Sequence, residues 1–110
     1  MAGNLKMNQE RLKKYLGKVS MHLFAEYFDL FMNKNISNHD IALKIFNEYR
    51  YSDKSCCSRT GHARMIINEG GAESALNLIM NSNATVEATR QIAKKHIEKY
   101  FINHDNLDLL

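Results

Sequence analysis

Not one proline interrupts this 110-residue chain, and glycine occurs only five times. Little in it therefore breaks helical periodicity, and long helices with short joints are the expectation. The fold class that follows is all-α: a compact bundle of about five to six helices containing a helix-turn-helix. With 45% apolar residues the chain can build one core but is too short for two. Residues 1–103 read as a single helical domain and 104–110 as an acidic and apolar tail.

Taken in order, Asn4 to Lys18 patterns as an amphipathic helix, with Leu5, Leu12, Tyr15, Leu16 and Val19 inward, its lysines outward and Gly17 near its end. The outward lysines read either as a solvated face, the commoner case, or as a basic arm for phosphates. Ser20 is placed to cap a helix from Met21 to Lys34. That helix is apolar around most of its circumference, apart from a stripe of His22, Glu26, Asp29 and Asn33, so it is expected to be central or to bury surface in an oligomer. Ser37 and Asp40 resemble a capping box ahead of a helix with Ile41, Ala42, Ile45, Phe46 and Tyr49 on one face. Beyond Gly70-Gly71, the spacing predicts helices over 72–80 and 85–102. The last has Ile92, Ala93, Ile97, Tyr100 and Phe101 inward and charges of alternating sign outward.

The stretch 38–68 carries the functional expectation. Arg50-Tyr51-Ser52-Asp53 reads as a turn, with Ser52 or Asp53 capping the next helix. Stepping ~100° per residue from Lys54 gathers Cys56, Thr60, Ala63 and Ile67 on one face, with Ile66 beside them. Lys54, Ser58, Gly61, His62 and Met65 fall opposite, and Ser55, Arg59 and Arg64 at the margins. Residues 50–64 hold Arg50, Lys54, Arg59 and Arg64 against Asp53 alone. Small polar groups mixed with cations suit close approach to phosphates and base edges. Arg50, Lys54, Ser55, Ser58, Arg59, His62 and Arg64 are therefore the candidate nucleic-acid-binding residues. Ser58 and His62 would lie nearer the bases, Lys54 and the arginines nearer the phosphates. A helix that is basic and merely solvated fits the same pattern.

Other chemistry finds little footing. No apolar run approaches the ~18 residues of a membrane span, and the first residues lack the core of a secretory signal. A soluble, cytoplasmic protein is expected. Cys56 and Cys57 are adjacent and point apart on a helix, which disfavours both a disulfide between them and a shared zinc ion with His62. Cys57 is expected to be the more exposed. There is no paired-carboxylate, nucleophile-and-base or glycine-rich phosphate motif, so neither an enzyme nor a cofactor is expected.

Ile41-Ala42-Leu43, then Tyr51-Ser52-Asp53-Lys54-Ser55, then Ala63-Arg64-Met65-Ile66 resembles the N-terminal helix-turn-helix of phage terminase small subunits. In those proteins an alanine-rich helix leads into a Tyr-Ser-x-Lys-Ser/Thr turn. The resemblance covers residues 41–67. It departs where the family has Ala-Gly and this chain has Tyr49-Arg50, and the family's longer oligomerisation region is missing or shortened. It implies a phage or mobile-element protein that recognises double-stranded DNA as a homo-oligomer, without enzymatic activity of its own. The alternative is a small helical interaction module, an inhibitor or adaptor, that meets a protein partner through the helix 21–34 or the leucine-rich tail and binds no nucleic acid.

Overall fold

The computed structural model describes residues 7–102. Among these there is no strand, and the helices are α1 (Gln9–Val19), α2 (Met21–Glu26), α3 (Phe28–Met32), α4 (Asn38–Glu48), α5 (Asp53–Asn68), α6 (Ala72–Met80) and α7 (Glu87–Ile97). A π-helical turn, Glu98–Ile102, continues α7. The all-α expectation holds. The tail 104–110 and the first residues of the expected 4–18 helix lie outside the described residues.

Side-chain caps fix the starts of α1, α2, α4 and α5. Asn8 accepts from the backbone N–H of Arg11 at 2.8 Å, so α1 begins at Gln9. Ser20 accepts from Leu23, Ser37 from Asp40 and Ser52 from Ser55, as those serines' positions predicted. Ser20 is also the whole joint between α1 and α2, and it adopts φ 88° to make it. That left-handed conformation costs a non-glycine residue on the order of 1 kcal/mol, which the cap and the neighbouring packing offset. Gly17 does not end α1 but lies inside it.

The helix expected over 21–34 breaks at Tyr27, whose φ −102° and ψ 15° leave the helical region. No glycine or proline marks the place. The break allows Phe24, Phe28 and Phe31 all to be buried within one chain, with Phe24 and Phe28 rings 5.4 Å apart. Tyr27 donates its hydroxyl to Glu48, and Tyr49 donates to Glu26, so two crossed bonds tie α2 to the end of α4. Burial and those carboxylates raise the pKa of both phenols.

The 21–34 segment is buried on several sides, as its apolar circumference predicted: α2 packs on α1, α6 and α7, and α3 on α5. The helix α5 is a second hub. It is packed by α1 on one side, α4 on the other, and α3 and α6 at its second half. Cys56, Thr60, Ala63 and Ile66 are its fully buried residues; Ile67 is only half-buried. Gly71 lets α6 start close against this helix, since a Cβ there would meet Leu12 Cδ1 at 3.2 Å and the Ile66 carbonyl oxygen at 3.3 Å. Phe46, expected inward, is 44% exposed beside Leu43 at 47%. The α4 core is Ile41, Ala42 and Ile45, a narrower stripe that leaves those two larger side chains outside.

Candidate nucleic-acid interface

Three contacts set the register of α1 against α5. Arg11 forks onto the Glu69 carboxylate at 2.9 and 3.0 Å, Tyr15 lies over the His62 ring at 5.2 Å, and Arg59 donates to the Val19 carbonyl at 2.9 Å. Residue numbers rise on one helix as they fall on the other, so the two are antiparallel. On the far side, Arg64 donates to Asn38 Oδ1 at 2.9 Å, which brings the start of α4 back beside the second half of α5. Between these flanks α5 presents an outward face of Lys54, Cys57, Ser58, Gly61, Met65 and Asn68.

The seven candidate residues divide on this frame. Lys54, Ser58 and Arg50 are exposed, and neither Lys54 nor Arg50 has a carboxylate partner among the described residues. Arg59 is engaged within the fold. Its guanidinium bonds Ser55 Oγ at 3.0 Å and the Val19 carbonyl, and lies 4.0 Å over the Tyr51 ring. Tyr51 in turn stacks on Tyr49, with ring planes 7° apart. Both faces of Tyr51 are thus covered, and Ser55 serves as an acceptor for Arg59. His62 is half-buried against Tyr15, with Ser58 Oγ 3.4 Å from its Nδ1. Arg64 caps the end of α3 by donating to the carbonyls of Leu30 and Asn33, and its buried Nε has no partner among the described residues.

The reason lies in helix geometry. Residues at the margins of an exposed face reach sideways to the next helix, and arginine is long enough to cap a neighbour's carbonyls. The periodicity that gathered these cations onto α5 carries no information about those neighbours.

Charge on the outward surface is correspondingly simple. The Glu69 carboxylate at one end is neutralised by Arg11, whose hydrogen bonds hold it below the usual carboxylate range. Towards the other end stand Lys14 and Lys18 of α1 and Lys54 and Arg50, with Asp53 in the first turn of α5. The expected difference between the cysteines also holds: Cys57 is exposed, while Cys56 is buried and its thiol pKa is raised by desolvation and then by Asp53.

A second polar cluster joins α2 to α7, where His22 and Glu26 of the polar stripe meet Thr89, a partner that the sequence does not signal. His22 Nε2 lies 2.9 Å from Glu26 and its Nδ1 lies 2.7 Å from Thr89 Oγ1, at the edge of a cleft of ≈ 400 Å³. With Nε2–H donated to the carboxylate, Nδ1 accepts from the hydroxyl. Thr89 is 1% exposed, so the chain of bonds acts as a tie between helices. His96, also buried, donates Nε2–H to the Ala25 carbonyl at 2.8 Å and ties the same two helices further along. Among the described residues no group of three or more His, Cys, Asp or Glu side chains is placed to hold a metal ion, and no helix is long and apolar enough to cross a membrane.

No family model matches the chain significantly, and neither a curated protein nor a solved structure does.

Proposed function

We propose that the protein binds double-stranded DNA, with α4, the turn and α5 acting as a helix-turn-helix and the outward face of α5 meeting the duplex. The single observation that carries this reading is the character of that face. Lys54 and Ser58 are exposed on it, Gly61 leaves open space within 4 Å of where a Cβ would be, and its acidic residues stand at its two ends, Asp53 in the first turn and Glu69 paired with Arg11. A surface this low, with no carboxylate along its middle, allows backbone-close approach to phosphates and base edges. Because α4 folds back along α5, the duplex would meet the length of the helix and not its N-terminal turn alone. Lys54 and Arg50 then take phosphates, and Ser58 lies nearest the bases. Arg59 and Arg64 act through the fold, by holding α1 and α3 in place. The resemblance to phage terminase small subunits favours a phage or mobile-element role, and a single small domain with few contacts implies a homo-oligomer on DNA.

The test is fluorescence anisotropy of a labelled duplex across salt concentrations. Binding that weakens steeply with salt and is lost in Lys54→Glu supports the reading. Absence of binding even at ~50 mM salt, where a few phosphate contacts still register, would refute it.

A protein-interaction module is the second reading, and Leu43 and Phe46 favour it. They are side by side on α4, 47% and 44% exposed, whereas the phenylalanines of the 21–34 segment are buried in the core. Apolar side chains of this size exposed together mark a surface for another protein. Leu43→Glu with Phe46→Glu would abolish partner capture and leave DNA binding unchanged if that surface serves a separate partner.

A further inference from the structure

We infer that α1 carries a second phosphate-binding site, Lys14 and Lys18, which clamps one strand of the duplex beside the face of α5. The inference rests on the DNA-binding reading and adds a site to it.

The placement follows from the seam between the two helices. Arg11 and Tyr15 line the outer edge of that seam, where they meet Glu69 at the end of α5 and His62, while Leu12, Leu16 and Val19 lie in the core beneath. Lys14 and Lys18 are one helical turn apart, ~6 Å along the axis, and lie one step outward from that seam. Both are exposed and neither has a carboxylate partner among the described residues. Across the seam stand Ser58 and Lys54. The one carboxylate bridging the two helices, Glu69, is occupied by Arg11 and adds no net repulsion. On the opposite bank, α4 offers no equivalent pair: its single lysine, Lys44, is 3.6 Å from Glu48, and its exposed side chains include Asp40 and the apolar Leu43 and Phe46.

Dimensions make the assignment. A helix with its side chains is ~10–12 Å across and the major groove is ~12 Å wide, so α5 alone fills the groove. Packed helices sit ~8–10 Å apart axis to axis, so α1 cannot enter beside it. It must lie above the groove's edge, where the phosphates are. Two lysines spaced by one turn on that edge meet backbone oxygens and no bases, so they contribute affinity and salt dependence without sequence preference.

The experiment is the salt dependence of duplex affinity for the wild-type protein and two double variants. Lys14→Gln with Lys18→Gln removes the clamp. Lys94→Gln with Lys95→Gln removes the same charge from α7, an exposed site on a helix that packs on α2 and α6. Each lost phosphate contact lowers the slope of log K against log salt by ~0.9, so the α1 pair should flatten it by ~1.8 and leave the preferred sequence unchanged. The α7 pair should keep the wild-type slope. Equal flattening by both pairs would reduce the effect to net charge and overturn the clamp. So would a wild-type slope in the α1 variant, and if Lys54→Glu still lost binding there, the α5 reading would stand alone. Wild-type protein that binds no duplex would remove both.

Discussion

Lys54 and Arg59 share a helix and a charge, yet they have opposite expected phenotypes. Lys54 is exposed and has no ion pair among the described residues, so Lys54→Glu should change unfolding free energy by no more than ~0.5 kcal/mol while abolishing duplex binding. Arg59 grips the last carbonyl of α1 and covers Tyr51. Arg59→Met should cost ~1–3 kcal/mol in urea melts, the range for losing a charged hydrogen bond and leaving its acceptor half-buried. Thr89→Val, nearly isosteric, removes the hydroxyl from His22 and should cost ~1–2 kcal/mol in the same assay. Asp29 adds a pH dependence. Burial would raise its pKa from 3.8, but hydrogen bonds from Tyr100 and Lys99 outweigh this and lower it. A depressed folded-state pKa stabilises above the unfolded value and is lost as pH falls through the folded one. The urea midpoint should therefore fall below about pH 4 in the wild type, and less steeply in Asp29→Asn.

Among the helices, two glycines separate stability from function. Gly17 and Gly61 both lie inside helices with nothing within 4 Å of where a Cβ would stand. Gly17→Ala should stabilise by ~1 kcal/mol, about 4–8 °C in Tm for a domain of this size, with DNA affinity unchanged. Gly61→Leu should fold as well as the wild type and lose DNA, because a leucine there holds the backbone off the duplex. The helix starts were legible because Ser20, Ser37 and Ser52 act through local bonds to the third residue beyond. The break at Tyr27 was not, because it is set by the packing of Phe24, Phe28 and Phe31 and by the reach of Tyr27 to Glu48. Phe46 was misplaced for a related reason: a face drawn from periodicity alone is wider than the stripe that the neighbouring helices cover.

For the molecule as a whole, the all-α architecture could be read from an uninterrupted helical pattern, whereas the partition of cations could not. Which of Arg50, Lys54, Arg59 and Arg64 faces outward depends on α1 and α3, which are distant in sequence and whose carbonyls need a donor. The lysines of α1 already read as a basic arm or a solvated face from their own segment, but only the packing of α1 on α5 sets Lys14 and Lys18 beside the face of α5. The central proposal is that one continuous surface, α5 with the adjoining bank of α1, meets DNA. Its most direct test is a two-dimensional NMR titration of the labelled protein with a short duplex at low salt. Amide shifts should concentrate at Lys14, Lys18, Arg50, Lys54, Ser58 and Gly61 and spare Lys94 and Lys95 on α7. Unchanged spectra, or shifts centred on Leu43 and Phe46 or on α7, would contradict it.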